Sequence, residues 1–423
     1  MDFQTKVELP AGLPPVSHAE RILLMGSCFA ENMGRLLAED KFRVDMNPFG
    51  ILYNPLSVST ALVEILKGKV YQEKDLFLYK ECWHSPMHHG LFSASSPEEV
   101  LEKINTRLSQ AHRSVHELDW LMLTFGTAYV YEQKETRQVV SNCHKLPESC
   151  FNRRILSVDE IVNEYTSLIT SMVARNSHLK VLFTVSPIRH IRDGMHANQL
   201  SKSTLLLAID RLQQLFPDHV FYFPSYEIVL DELRDYRYYA DDMLHPSPLA
   251  VRYLWERFSE AFFSAETKQV ITAIEDITKD LSHKPFHPES EAYQRFLGQI
   301  VLKIERINGT YPYIDFTKEG ESMGNSIISS FQRYEVKYFL TPEQRASLMP
   351  VLEAHFQMDE YGLHTISNLY YDTDNYEITR NSIDRPIYKE KLRVRAYGVP
   401  QPETGRVFVE LKKKYEHVVY KRR

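Results

Sequence analysis

Cysteine is scarce in this sequence: four residues among 423, at positions 28, 82, 143 and 150, with no Cys-x-x-Cys pair. That spacing argues against a zinc ribbon or a disulfide framework, and a reducing, cytoplasmic setting is the expectation. Apolar runs of membrane-spanning length are missing, so no membrane span is expected. The opening residues 1–8 carry acids at Asp2 and Glu8 and lead into no apolar core before Pro10, which is not the pattern of a secretory signal. No low-complexity tract or internal repeat is present. Neither charge dominates, with 50 Lys and Arg against 56 Asp and Glu, and no specific nucleic-acid partner is expected.

What is present fits a folded chain of two domains. At 43% hydrophobic and 25% charged residues the composition is that of a packed protein, and 423 residues exceed one ordinary domain. The charge is uneven. Residues 323–423 hold 16 basic against 13 acidic side chains, and 387–423 hold 11 against 4. Such a surplus suits an anionic ligand or, more plainly, a solvated basic face.

Up to about residue 264, apolar runs alternate with amphipathic stretches. Strands are expected over 21–26, 42–47, 120–125, 181–186 and 220–224, and helices over 57–67, 97–111, 158–174, 203–216 and 248–263. The alternation implies an α/β fold: a doubly wound, mostly parallel five-stranded sheet of flavodoxin-like type, covered on both faces. Ligands of such sheets sit at the carboxyl ends of the strands. Residues 265–322 read as a helical appendage and linker. From 323 the pattern changes to period-2 strands over 334–340, 367–372, 388–397, 407–413 and 418–422, which predicts a second, antiparallel α+β domain. The expected domains are therefore 1–264, 265–322 and 323–423.

The chemistry concentrates at two places in the first domain. Gly26-Ser27-Cys28 breaks the first strand and leads into a helix, and helix N-termini offer free N–H groups and a positive dipole end that favour a thiolate and a developing oxyanion. Cys28 is the candidate nucleophile, with Ser27 as its substitute if the turn faces the other way. Far downstream, Asp242 and His245 supply an acid and an imidazole three residues apart, suited to an orienter and a general base. Asn47-Pro-Phe-Gly50 and Phe125-Gly-Thr-Ala128 both follow strands, so the N–H groups of Gly50 and Gly126 or the Thr127 hydroxyl are candidates for an oxyanion hole. Arg189 and His190 follow a strand and suit an anionic substrate group or, equally, a solvated strand end. Three histidines lie between Cys82 and His89, but Pro86 interrupts the helical spacing of His84 and His88, so the segment is expected at a pocket entrance and not around a metal. His144 carries either reading, and the Tyr-rich run 235–239 is expected to pack.

Gly26-Ser-Cys-Phe-Ala30, followed in order by Asn47-Pro-Phe-Gly, Phe125-Gly-Thr-Ala, Asn142-Cys-His-Lys, Ser186-Pro-Ile-Arg-His, Ser201-Lys and Ala240-Asp-Asp-Met-Leu-His-Pro-Ser, resembles the GSCFA domain family over about 5–320. That family is similar in turn to the SGNH/GDSL hydrolases. The resemblance implies that Cys28 holds the nucleophile position, Ser27 the one before it, Asp242 and His245 the last block, and Gly50 the oxyanion glycine of the second block. The third block departs, because Gly126-Thr-Ala lacks the asparagine that donates to the oxyanion in those hydrolases.

In the tail, residues 388–396 read Tyr-Lys-Glu-Lys-Leu-Arg-Val-Arg-Ala, which places Lys389, Lys391, Arg393 and Arg395 on one strand face. Four like charges in a row repel unless an anion lies among them. With Glu335 and Lys337, Glu410 and Lys412, and Lys421, these positions resemble the VTC-type polyphosphate polymerase domain of the triphosphate tunnel enzymes over about 330–423. The resemblance implies a basic tunnel for triphosphate or polyphosphate, with Glu335 and Glu410 at a divalent Mg or Mn ion. The five strands make up about half of a closed tunnel, so an incomplete, fused or truncated domain is expected.

The leading expectation for the whole is a hydrolase or acyltransferase of SGNH-like type. It acts on a small or acylated ester or thioester substrate through Cys28, His245 and Asp242, with no cofactor in the first domain. The competing expectations are a non-catalytic ligand-binding module, and polyphosphate handling by the tail.

Overall fold

The computed structural model describes residues 5–283, 290–319, 331–333, 341–355, 366–383, 388–397, 407–415 and 418–422. The chain divides into two compact units: Met1–His283 with Leu302–Asp315, and Lys284–Val301 with Phe316–Arg423.

The first unit runs β1 (Arg21–Gly26), α1 (Cys28–Glu39), β2 (Arg43–Met46), α2 (Pro55–Lys67), β3 (Phe77–Tyr79), β4 (Cys82–His84), α3 (Pro97–Val115), β5 (Trp120–Phe125), β6 (Tyr129–Gln133), β7 (Val139–Val140), β8 (Phe151–Ile155), α4 (Val158–Arg175), β9 (Lys180–Val185), α5 (Met195–Leu215) and β10 (Val220–Tyr222). Helices Pro248–Phe262 and Ala265–Ser282 follow. Five strands form one parallel sheet in the order β10-β9-β5-β1-β2. The chain starts in the middle, steps to one edge at β2, then returns past β1 and proceeds to the other edge. That reversal lies between β1 and β5, and it opens a crevice at their carboxyl ends. The doubly wound α/β fold expected from the alternation is the fold observed.

Strand periodicity explains the two-faced core. Leu23, Met25, Leu121, Leu123, Phe125, Val181 and Phe183 pack on one side with the apolar stripes of α2, α3, α4 and α5. Their neighbours Ile22, Leu24, Trp120, Met122 and Leu182 pack on the other side with Phe29, Met33 and Leu37 of α1 and with Leu254, Phe258 and Phe262. Continuous burial along β5 is what a strand covered on both faces requires. Helix starts are set by local chemistry: Asn54 caps α2 ahead of Pro55, Ser96 caps α3 ahead of Pro97, and Ser157 and Glu160 form a capping box on α4.

One boundary differs from expectation in an informative way. Helix α5 begins at Met195, eight residues before the amphipathic stripe suggests, because its first turns bury Asn198, Ser201 and Lys202 and carry no apolar face there. Polar side chains on the buried face hide a helix from a hydrophobicity pattern.

The second unit contains an antiparallel sheet in the order β11-β15-β14-β13-β12, formed by β11 (Phe331–Arg333), β12 (Ile366–Tyr371), β13 (Tyr388–Tyr397), β14 (Val407–Tyr415) and β15 (Val418–Arg422). The strand expected over 334–340 lies outside the described residues. No described helix is long and apolar enough to cross a membrane.

Candidate active site

The turn after β1 is held from both sides. Gly26 has φ +138°, and its N–H donates to Asn47 Oδ1 at 2.9 Å while its carbonyl accepts from Leu52 N at 3.0 Å. Ser27 is the N-cap of α1: its Oγ accepts from Phe29 N at 3.3 Å, its own N–H donates to Thr124 O at 3.2 Å, and it is 1% exposed. The suggestion that Ser27 substitutes as nucleophile is therefore corrected, because its hydroxyl is buried in a structural cap. Cys28 is the first helical residue. It is half-buried, and its backbone N–H is one that the helix cannot pair internally. Its Sγ lies 3.8 Å from Tyr53 Oη.

Tyr53 links the turn to the end of β5. Its carbonyl accepts from Gly126 N at 2.7 Å and from Thr127 N at 3.0 Å, and its ring meets the His190 imidazole edge-on with centroids 6.0 Å apart. A Cβ on Gly126 would lie 3.2 Å from Tyr53 O and 3.4 Å from His190 Nε2, so glycine is what lets these groups converge. His190 Nε2 is buried without a hydrogen-bond partner. Burial first, then the charges of Lys202 and, further down, His245, push the His190 imidazole down to about 4.

Asp242 and His245 form the expected pair. Asp242 Oδ2 and His245 Nδ1 are 2.5 Å apart, and Oδ1 accepts from the backbone N–H groups of Leu244 and His245, each at 2.9 Å. Those two N–H bonds, His245's first, and then the imidazole bond hold the carboxyl down to about 2. His245 is exposed, and its Nε2 makes no hydrogen bond with any described residue. The loop is anchored by Arg189, whose guanidinium donates to Met243 O and stacks on Tyr239 at 4.3 Å and Tyr236 at 5.3 Å. Arg189, expected to meet a substrate anion, positions the His245 loop instead, and the tyrosine run supplies its platform. No hydrogen bond joins Cys28 to His245. Cys28 neighbours Tyr53, and Tyr53 in turn neighbours His190.

The expected oxyanion groups are engaged elsewhere. Gly50, at φ +79°, donates its N–H to Asn47 O at 2.7 Å in a tight turn, and a Cβ there would collide with His89 Cβ at 2.2 Å. The Gly126 and Thr127 N–H groups both point at Tyr53 O, and Thr127 Oγ1 bonds Ser201 Oγ at 3.1 Å while accepting from Tyr129 N. These three expectations are corrected, because in each case the donor is already engaged within the protein: Gly50 closes a tight turn on Asn47 O, whereas the Gly126 and Thr127 N–H groups are taken by the Tyr53 carbonyl from a distant part of the chain. The histidines of 82–89 are structural too. His84 bonds Ser93 and Tyr79 O, His88 bonds Ser85 and stacks on Phe49, and His144 bonds Ser85 O. No cluster of three candidate metal ligands occurs among the described residues.

Lys202 is the residue that pattern reading left without a role. It is 1% exposed, and its Nζ donates to Gly126 O at 2.6 Å and Ser186 O at 2.7 Å, tying together the loops after β5 and β9. The signal for it lay in its register, since Lys202 falls on the stripe of Leu205, Ile209 and Leu212. Burial alone pushes its amine down to about 7. Below that pH both folded and unfolded chains hold the proton. Between about 7 and the ordinary 10.5 only the unfolded chain holds it, so stability rises with pH across that window. Lys202→Met leaves both carbonyls unpaired and is expected to destabilise the protein by about 2–4 kcal/mol near neutral pH. The gap to wild type should be wider at pH 9.5 than at pH 7. Urea midpoints of both proteins at the two pH values check this.

In the second unit, Arg393 donates to Glu410 from Nε and Nη2, each at 2.7 Å, and to Tyr370 Oη at 3.1 Å, and Glu410 is fully buried. Arg395 Nε lies 3.8 Å from the same carboxylate. A protein carboxylate thus meets two of the four basic residues for which an external anion was expected, because cross-strand register sets Glu410 opposite Arg393. Lys391, Lys412 and Lys421 occupy consecutive register positions on β13, β14 and β15. Lys389 pairs in register with Lys414, and Glu335 and Lys337 lie outside the described residues.

The fold and the placement of these groups define the class: a doubly wound α/β protein with a thiol at its first strand-to-helix turn and an Asp–His pair beyond its last strand. The chain belongs to the GSCFA family, whose model matches residues 21–258. The GSCFA domain protein C-terminal domain matches 274–328 and the VTC domain matches 332–423. Comparison with curated proteins gives no match.

Proposed function

We propose that the first unit is an acyl-transferring or hydrolytic enzyme of SGNH-like type, acting on an ester or thioester. One observation carries this reading: a half-buried thiol at the first position of a helix, at the switch point of a doubly wound sheet, with a carboxylate-held imidazole on a loop that hydrogen-bonds the segment after β9. In the reaction, Cys28 Sγ forms a bond to the carbonyl carbon and its proton passes to His245 Nε2. Asp242 holds the opposite nitrogen, fixing the tautomer and stabilising the imidazolium. Collapse of the tetrahedral intermediate breaks the bond to the leaving oxygen or sulfur, which takes the proton from His245. Water or an acceptor alcohol then attacks the acyl-Cys28 thioester by the reverse route, with His245 as base, and the Cys28 thiol leaves with the proton from His245. Substrate binding must bring the thiol and the imidazole together, as apo sites often require. A non-catalytic binding module is the competing reading. An acyl mass retained on Cys28 after brief exposure to an activated thioester tests the choice, and the absence of any such adduct rejects the enzyme reading.

A second reading concerns the VTC domain. We propose that it binds a short polyphosphate, because Lys391, Lys412 and Lys421 stand in register across three adjacent strands. Such a row attracts a chain of phosphates and repels itself without one. Of the two glutamates suggested for a divalent ion, Glu410 is paired with Arg393. The full chain should bind tripolyphosphate at low salt, and replacing all three lysines by alanine should weaken binding at least tenfold, read by titration calorimetry. Equal binding by the triple variant would sink this reading.

A further inference from the structure

The acyl-transfer reading needs hydrogen-bond donors at the oxygen that becomes negative when the thiol attacks. The sequence offered three candidates besides Cys28, and each is engaged: the Gly50 N–H with Asn47 O, the Gly126 N–H with Tyr53 O, and the Thr127 hydroxyl with Ser201 Oγ. The asparagine that serves related hydrolases is absent from the third block. The Cys28 N–H remains, one donor where such sites use two or more.

Tyr53 fills that gap. Its backbone carbonyl occupies the two N–H groups after β5, and its side chain turns to the thiol, with Oη 3.8 Å from Sγ. The oxygen of a tetrahedral intermediate sits on the carbon bonded to Sγ, within about 3 Å of the sulfur, so an oxyanion on the side facing Tyr53 lies within hydrogen-bond reach of its hydroxyl. The phenol is anchored for the task. Tyr53 is 38% exposed, yet its ring meets His190 edge-on, and a Cβ at Gly126 would lie 3.3 Å from Tyr53 Cδ1 and 3.4 Å from His190 Nε2. Burial first, then the charge of Cys28 and the hydrogen bond to it, raise the Tyr53 phenol well above its ordinary value, so it remains a donor at any working pH. The nearby imidazole of His190, pushed down by burial, stays neutral and brings no competing charge.

We propose that Tyr53 Oη is the oxyanion donor of this site, taking the place of the missing asparagine. The inference rests on the reading of Cys28 as nucleophile. No group is transferred to or from Tyr53; it donates a hydrogen bond that strengthens as the carbonyl oxygen gains charge and weakens when the leaving group departs.

The test compares two reactions of the same thiol in the full-length protein and its Tyr53→Phe variant. Acylation of Cys28 by a thioester passes through an oxyanion, whereas alkylation by iodoacetamide displaces iodide at a saturated carbon and does not. Tyr53→Phe should slow acylation about a hundredfold to a thousandfold and change alkylation less than about threefold. Phenylalanine keeps the ring and the backbone carbonyl, and equal melting temperatures confirm that the loop is intact. If both reactions slow in parallel, Tyr53 acts on the thiol itself and the proposal is overturned. If acylation is unchanged, it is also overturned. Cys28→Ala separates the two layers: a variant that still turns substrate over removes the nucleophile and the proposal with it, whereas a dead Cys28→Ala beside a fully active Tyr53→Phe removes the proposal alone.

Discussion

Replacing Gly26 by alanine is expected to unfold much of the first unit, lowering its stability by roughly 4 kcal/mol or more. A Cβ built there lies 2.1 Å from Thr124 O, 2.9 Å from Thr124 C and 3.0 Å from Thr124 N. All three atoms are backbone of β5, the central strand of the sheet, so no side chain can swing aside. The backbone at φ +138° is closed to L side chains in any case. Relief would require β1 and β5 to part where Gly26 pairs with Thr124. Gly298→Ala is a suitable contrast: it lies inside the Glu291–Thr310 helix with open space around it, and it should be neutral or stabilising by up to about 1 kcal/mol. Chemical denaturation of the two variants against the parent decides the matter. A Gly26→Ala protein with an unchanged midpoint would mean that the turn is not built as described.

The second large effect concerns chemistry. Cys28→Ser is expected to reduce thioester and activated-ester turnover about a thousandfold or more, equivalent to about 4 kcal/mol of transition-state stabilisation. A hydroxyl is a far weaker nucleophile than a thiol unless a base is already bonded to it, and Cys28 has a tyrosine hydroxyl beside it and no bond to His245. The retained acyl mass should move to no other residue. Cys143 is a poor substitute, since burial pushes its thiol up to about 11. Steady-state rates with intact-protein mass spectrometry read both expectations. Unchanged turnover, or an adduct on Cys82, Cys143 or Cys150 in the parent protein, would end the assignment.

The sequence carried the sheet well for a physical reason. Strands buried on both faces read as nearly continuous apolar runs, and β1, β5 and β9 are such runs apart from Arg21, Thr124, Lys180 and Thr184, so their places could be read without knowledge of their partners. The Asp242–His245 pair was legible because both residues lie in one short turn. The start of α5 was not legible, since Asn198, Ser201 and Lys202 replace the apolar stripe with groups that bond the loops after β5 and β9. The oxyanion groups were misassigned for a related reason. A glycine after a strand looks the same in sequence whether its N–H faces a ligand or the protein's own backbone, and here Gly50 bonds Asn47 O in a turn while Gly126 and Thr127 bond Tyr53 O. Tyr53 was invisible because its importance depends on what lies 25 residues before it and about 73 after it.

The clamp made by Lys202 has a consequence for how the protein is made. Its two acceptors belong to loops 76 and 16 residues away, and the candidate site as a whole draws on positions from Cys28 to His245. Contacts of such sequence separation form late, after the cost of closing long loops has been met. A chain emerging from the ribosome can cap α1 through Ser27 early, whereas the β1 turn closes only when Asn47, Leu52 and Thr124 are in place, so the thiol precedes the groups that surround it. Chemical control of Cys28 arrives only when α5 docks and the last loop closes, which makes the nascent chain, more than the finished protein, the stage at which this cysteine is open to unwanted oxidation or acylation.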